Sequence, residues 1–389
     1  MHTNFRRLAL MAALIFPLGI LFLAKYLSFA WLDIPGLFGI ETSLDSLPNF
    51  IRLGFPAGIS FYTFQVLSYD IDVRDGHLLP ERDLLSFATY ISFFPQLIAG
   101  PILRFDQISD QFKKIKEGLP PDTPRGLKYF SIGLFAKILG ADLIAAFTKP
   151  LHATLDAGSS IHPLDGLFYV LGYSFRIYYD FWSYSIMAMG LALLFGLVLP
   201  INFNEPYLSR SPREFWRRWH ITLSYWIRDY IYLKLGGNKS YVRNILIVFI
   251  VCGVWHGAGF GFILWGIYHG ILVLAHHFTR SWWDQLPRTI AIALTFILVT
   301  LGWPLFDLGV GGYVNLAAKL DPTAQMVSPG WHFGFLGLIA LLTFAGREQH
   351  WLYNHEKRAI FDWPVVHAGL LFTALLFLDY GQTFIYFRF

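Results

Sequence analysis

The chain has 389 residues, of which 55% are hydrophobic, 18% aromatic and only 14% charged, against about 25% charged in a soluble domain. That balance describes an integral membrane protein and excludes an ordinary soluble globule. The formal net charge is +4, and the basic residues lie among apolar segments instead of forming an exposed patch, so nucleic acid is not an expected partner.

Apolar stretches recur at about 8–30, 54–70, 86–103, 129–149, 164–199, 244–279, 289–306, 332–346 and 365–379. Each approaches the ~20 residues of a spanning helix and 244–279 has room for two, so about eight to ten spans are expected. The first follows Arg6-Arg7 as a signal peptide would, yet it runs past Leu21 to Phe29 without a small-residue cleavage site, so a retained helix is expected. Residues 71–85, with Arg74 and Arg82, and 104–128, with Lys113, Lys114 and Lys116, are expected to face the cytoplasm by cation bias. The stretch 86–103 would then begin and end on one side, and it contains Pro95 and Gly100-Pro101. A re-entrant segment is expected there, lining an internal cavity, because irregular backbone at membrane depth must be satisfied by protein or water.

Asp180, within Tyr178-Tyr179-Asp180-Phe181-Trp182, is costly in an apolar segment. It either pairs with Arg176 one turn earlier or supports chemistry directly. Asn202-Phe203-Asn204-Glu205-Pro206 breaks that segment. Ser211-Pro212-Arg213-Glu214 then supplies an N-cap serine, a proline at the first helical position and a glutamate at the third. The helix is expected to run to Gly236-Gly237-Asn238, whose glycines suit a left-handed cap. On a continuous helix Arg213, Arg217, His220, Ser224 and Arg228 would fall within about 80° of one another, beside Trp216, Trp219 and Trp226. Such a stripe suits an anionic donor, such as coenzyme phosphates or a phosphopantetheine arm, with His220 deeper. It equally suits a juxtamembrane helix meeting lipid head groups, with its tryptophans in the interfacial belt. Arg210, Lys234, Lys239 and Arg243 extend the same basic region, which is expected to be cytoplasmic.

Trp255-His256-Gly257 follows the apolar run 248–254. A neutral imidazole there can take a proton from an attacking hydroxyl; the plainer alternative is a histidine bonded to a neighbouring helix. The single cysteine, Cys252, cannot form an intrachain disulfide and reads as a buried thiol. On a continuous helix His269 would point away from His256 and act in packing or at a cavity rim, while His276 and His277 are expected at the interface. The histidine spacing suits no metal site. The loop 307–331 has one cation, Lys319, and is expected on the extracytoplasmic side. No repeat or long linker divides residues 1–389, so a single membrane-embedded domain is expected.

At these residues the chain resembles the membrane-bound O-acyltransferases, specifically the bacterial branch of alginate O-acetyltransferases and teichoic acid D-alanyl transferases. The resemblance runs from about Gly54 to Gly270 and more weakly to Phe306. It rests on Gly58-Ile59-Ser60-Phe61-Tyr62-Thr63-Phe64, Phe94-Pro95-Gln96-Leu97-Ile98-Ala99-Gly100-Pro101, Tyr179-Asp180-Phe181, Asn202-Phe203-Asn204, Phe215-Trp216-Arg217-Arg218-Trp219-His220, Arg228-Asp229-Tyr230, Leu235-Gly236-Gly237-Asn238 and Trp255-His256-Gly257. It implies an all-α polytopic fold, a ring of helices with re-entrant segments around a central tunnel. It also implies that His256 is the catalytic histidine and His220 the second polar residue of the active site. Family members usually carry further hydrophobic helices before the part matching Leu8, so this chain is expected to be shortened at its N-terminus. Alginate-type sequences often have an acidic residue where Ile186 stands, whereas the Leu-Gly-Gly-Asn run favours polysaccharide acetylation over teichoic acids.

The expected function is acetyl transfer from a cytoplasmic donor, such as acetyl-CoA or an acyl-carrier thioester, across the inner membrane. The acceptor is expected to be an extracytoplasmic polysaccharide or a partner acetyltransferase. His256 would activate the acceptor, His220 position or polarise the acyl group, and Arg217 with Arg218 attract the donor. Ser224, Asp180, Trp219 and Trp255 would support the site, with no tightly bound cofactor or metal and with membrane lipids around it. D-alanyl or longer-acyl transfer is the enzymatic alternative. A proton-coupled transporter using the histidines as a relay is the alternative of another class, and it predicts flux without acyl transfer.

Overall fold

The computed structural model describes residues 2–36, 38–40, 42–43, 58–345 and 363–385, with residues 2–10 as backbone only. The beginning of the second apolar stretch, including Gly54, residue 346, and the side chains of Arg6 and Arg7 lie outside the described residues. Among those described the protein is helical, with one isolated β-bridge between Ile161 and Leu320.

Helix α1 (His2–Leu21) passes through a π-helical turn (Phe22–Tyr26) into α2 (Leu27–Gly36). Helix α3 (Ile59–Arg74) starts from Gly58, whose φ of 85° and close approach to the Leu97 carbonyl oxygen leave no room for a side chain. Helix α4 (Leu84–Ser92), capped by the Asp83 carboxylate, stops after nine residues, a rise of only about 14 Å. The chain then turns through 94–100 and leaves extended toward α5 (Phe105–Lys116). Its irregular backbone is served by protein: Gln96 Nε2 donates to the Tyr90 carbonyl at 2.7 Å, the Tyr90 hydroxyl to the Leu103 carbonyl at 3.0 Å, and the Ile102 N–H to Thr222 Oγ1 at 2.9 Å. The stretch 86–103 is thus a short helix followed by irregular backbone satisfied by protein, the form expected of a re-entrant segment.

Helix α6 (Thr123–Phe135), a π turn (Ala136–Asp142) and α7 (Leu143–Asp156) form one apolar run packed along α8 (Pro163–Leu194), where Gly126 and Gly190 let the backbones meet. After α9 (Pro212–Arg218) and α10 (Ile221–Ile227) come a π turn (Arg228–Tyr232), α11 (Tyr241–His256), α12 (Phe260–Phe278) and α13 (Arg280–Trp283). The described helices end with α14 (Arg288–Asp307), α15 (Gly309–Ala318), α16 (Gly330–Ala345) and α17 (Pro364–Leu376).

Among the described residues, four helical stretches are long and apolar enough to cross a membrane, Met11–Gly36, Thr123–Asp156, Phe260–Phe278 and Arg288–Asp307; α16 and α17 are shorter apolar helices. This is fewer than the eight to ten expected. Helices α3 and α11 have 16 residues each, about 24 Å against a hydrocarbon core of ~30 Å. Helix α8 is long enough but carries Asp165, Arg176 and Asp180. The protein is thus an all-α polytopic membrane protein with several helices too short or too polar to stand alone in lipid.

The three regions that cation bias assigns to one side are bonded together. Lys234 pairs with Asp75 at 2.5 Å, Arg104 with Asp229 at 2.5 Å, and Lys116 with Asp83 at 2.8 Å. Arg74 and Lys234 both bond to the Asp75 carboxyl and hold it well below the usual carboxylate range. At the other end of α8, Ile161 exchanges backbone hydrogen bonds with Lys319 and Asp321, and the Asp165 carboxylate accepts from Val327 and Ser328. The 32 residues of α8 span about 48 Å between the basic end and this cation-poor end.

Candidate active site

The N-terminus of α9 forms as its residues dictate: Ser211 Oγ accepts from the Glu214 N–H at 3.2 Å, and Glu214 Oε2 accepts from the Arg210 N–H. The helix does not run to Gly236. It ends at Arg218, and the chain breaks through an extended Trp219 and a left-handed His220, φ 43°. Tertiary bonds fix the break, for the Arg218 carbonyl accepts from the Asn204 N–H and the Asn202 carbonyl from the Ile221 N–H, both at 2.9 Å. A non-glycine residue held at positive φ costs about 1–3 kcal/mol and such residues cluster at functional sites. The single polar stripe expected on a continuous helix is therefore split, with His220 turned into the core.

Asn202 Oδ1 receives His220 Nδ1 at 3.1 Å, the Thr222 N–H at 3.3 Å and the Thr222 hydroxyl at 2.9 Å. A backbone N–H can only donate, so the Asn202 atom is the oxygen, and Nδ1 of His220 carries the hydrogen. The lone pair of His220 then lies on Nε2. Because Thr222 Oγ1 also accepts from the Ile102 N–H, the re-entrant segment, the Asn202 loop and the helix break form one buried network. Asn202 stood in a recognised motif, but its role depends on this tertiary arrangement.

His256 closes α11 and is buried. Gly257 is extended, and α12 folds back along α11 so closely that Gly253 faces the Phe262 carbonyl and Gly266 the Phe249 carbonyl. This hairpin replaces the continuous helix on which His269 would point away. Instead Trp265 contacts both imidazoles, with ring centroids 5.1 Å from His256 and 5.0 Å from His269. His269 is fully buried, while His276 is buried among the arginines of the basic end and His277 is exposed. His220 and His256 meet on the Trp255 ring, at 5.9 and 4.9 Å, and lie within electrostatic range of each other.

A cavity of about 240 Å³ lies between α9, α10 and α11, and neither imidazole lines it. Arg213, Arg217, Arg228 and Ser224 line one part, and Val248, Phe249 and Cys252 line another. Its lining reaches from guanidinium groups to Cys252, one helical turn before His256. A larger cavity of about 490 Å³ shares Arg213 and Arg217 and adds Arg210, Arg280 and Arg288. Together they suit a long amphipathic molecule with an anionic head.

The other anticipated residues divide. Arg217 and Ser224 line the smaller cavity, but Arg218 turns away to pair with Glu214 at 2.7 Å and donate to the Asn204 carbonyl. Trp219 is buried among Phe203, Phe215 and Trp303, a core position and not an interfacial one. Trp255 supports both histidines. Asp180 forms an ion pair, though with Lys137 at 2.8 Å instead of Arg176. The π turn carries Lys137 between Asp142 and Asp180, and Asp180 also accepts from the Ile385 N–H. Among the described residues no cluster of three or more histidine, cysteine or acidic side chains is arranged for a metal. Lys25, a cation inside an apolar stretch, carries a sequence signal of the same kind as His256.

The family model of the membrane-bound O-acyltransferases matches residues 73–305. The chain is 38% identical over 317 residues to a probable alginate O-acetylase of Azotobacter vinelandii, covering 79% of this chain and 60% of that protein. It is 37% identical over 290 residues to a peptidoglycan O-acetyltransferase of Helicobacter pylori, covering 66% and 54%. It is 32% identical over 272 residues to a teichoic acid D-alanyltransferase of Bacillus subtilis, covering 64% and 68%. The chain thus spans little more than half the length of the two acetylating relatives.

Proposed function

The chain belongs to the membrane-bound O-acyltransferase family, and from that premise we propose that it carries an acetyl group from a cytoplasmic thioester to a hydroxyl presented on the opposite side of the inner membrane. Acetyl-CoA or an acyl-carrier thioester is the proposed donor. The acceptor is an extracytoplasmic polysaccharide, reached directly or through a partner acetyltransferase. The observation that carries this reading is the cavity running from Arg213 and Arg217 to Cys252, one turn from His256. Its guanidinium end matches the donor's anionic groups, and its apolar wall matches the arm that bears the thioester.

In the proposed reaction the acceptor oxygen attacks the thioester carbonyl. His256 takes the hydroxyl proton as the C–O bond forms, and the proton passes to the thiolate as the C–S bond breaks. With its Nδ1 hydrogen committed to Asn202, His220 offers a lone pair at Nε2. That nitrogen orients a hydroxyl and is not a donor to the acyl oxygen, which narrows its role to the acceptor side. Trp255 holds the two rings in fixed relation.

The test uses membranes containing the protein and radiolabelled acetyl-CoA. His256→Ala should lower acetyl transfer by roughly 10²–10⁴-fold at unchanged abundance, and wild-type turnover in the folded variant would overturn the assignment. Incorporation of D-alanine from a charged carrier, without acetyl transfer, would assign the teichoic-acid chemistry. Proton flux with no acylated product would assign the transporter.

A further inference from the structure

Helix α11 ends inside the protein without a left-handed cap, so its last four carbonyls, Gly253 to His256, need other partners. Gly253 accepts from the Gly257 N–H at 3.3 Å. The other three are served by two consecutive side chains from the π turn between α1 and α2. The Tyr26 hydroxyl donates to the Val254 carbonyl at 2.7 Å, and the Lys25 ammonium donates to the Trp255 and His256 carbonyls at 2.6 and 2.9 Å.

The third hydrogen of Lys25 points to Ser60 Oγ on α3, at 3.5 Å, and Nζ lies 5.9 Å from the centre of the Trp255 ring. No carboxylate takes part in these contacts. The ammonium is stabilised by three oxygen acceptors, an aromatic face and the negative end of the α11 dipole. Local widening of a helix into a π turn recurs at functional sites, and here it presents Lys25 and Tyr26 together to one helix end.

We propose that Lys25, assisted by Tyr26, is a positioning residue: it locks the Trp255-His256 peptide plane and thereby the direction in which the His256 imidazole points. This inference rests on the reading of His256 as the base. Lys25 does not line either donor cavity, so its removal acts on chemistry and not on donor binding. Without the ammonium, two carbonyls at membrane depth lose their partners, and the helix end frays or draws water toward the reaction centre.

The variants are Lys25→Met, Lys25→Arg and Tyr26→Phe, in membranes supplied with radiolabelled acetyl-CoA. Lys25→Met should lower kcat by about 10²-fold, the scale of a small misplacement of a reacting group, with the KM for acetyl-CoA unchanged. Lys25→Arg keeps a multiple donor and should recover most of the loss, while Tyr26→Phe should cost less than Lys25→Met. Hydrogen–deuterium exchange of the peptide covering residues 253–259 provides a readout apart from activity, and should quicken in Lys25→Met but not in Lys25→Arg. A folded Lys25→Met with wild-type kcat, or with raised KM at unchanged kcat, overturns the proposal. If Lys25→Met does not fold, normal exchange and turnover in both Tyr26→Phe and Ser60→Ala overturn it. His256→Ala serves as the reference: wild-type activity there defeats the acyl-transfer role of His256, whereas the exchange data still decide whether Lys25 holds the helix end.

Discussion

Substituting Gly253 with alanine should disable the protein while leaving every polar group of the site in place. A methyl group at Gly253 would lie 2.3 Å from the Phe262 carbonyl oxygen, where side-chain carbons keep at least 3.0 Å, so the α11 and α12 backbones must part by at least about 0.7 Å. The contact is reciprocal, because Gly266 faces the Phe249 carbonyl at the same 2.3 Å. Neither neighbour can swing aside, since both are backbone. Overpacking of this kind costs about 1–3 kcal/mol. His256 lies three residues beyond Gly253, so the displacement carries through to the imidazole, and an offset near 1 Å is worth roughly 10² in rate. Turnover with labelled acetyl-CoA and thermal unfolding of the purified protein in nanodiscs measure the two effects. Gly337→Ala in α16 is the control, because nothing lies within 4 Å of the added methyl; it should be neutral or stabilise by up to ~1 kcal/mol. If Gly253→Ala matches that control in both turnover and unfolding temperature, the close hairpin that aims His256 is refuted.

Arg217→Ala should raise the KM for acetyl-CoA more than it lowers kcat, most of all at low ionic strength where attraction by the cationic mouth is least screened. Arg218→Ala, whose guanidinium is paired with Glu214, should leave that KM in place; equal effects of the two would show that the cavity wall does not discriminate between them. For topology, cysteines placed at Lys239 and Gly311 in a Cys252→Ala background should react with an impermeant thiol reagent from opposite faces. Labelling of both from one face would defeat the two-sided reaction.

Local signals are legible where a segment interacts only with its own neighbours. Ser211 and Glu214 marked a helix start that needs no distant partner, and Pro95 with Gly100-Pro101 marked backbone that could not continue as a helix. His256 stood out because an ionisable group in apolar sequence demands an explanation. The break at His220 was hidden, since helical propensity continues past Trp219 and the bonds that interrupt it come from Asn202 and Asn204. Arg176 looked like the natural partner of Asp180 by spacing, yet the π turn at 136–142 delivers Lys137 from another helix. Arg217 and Arg218 are neighbours in sequence but face different surroundings, a distinction that appears only once α9 is packed.

The ties from Lys25 and Tyr26 to the end of α11 also set an order of events during synthesis. Their partners lie 228 to 231 positions later in the chain, and at roughly 5–20 residues per second the ribosome needs about 10–50 s to deliver them. Throughout that interval the α1 segment must keep an ammonium group solvated without the carbonyls it will finally serve. Helix α1 therefore waits near the membrane surface, or beside the insertion machinery, and docks only after His256 has emerged. Completion of the Trp255-His256 helix end then coincides with the seating of α1, so a half-made chain lacks the proposed site in its assembled form.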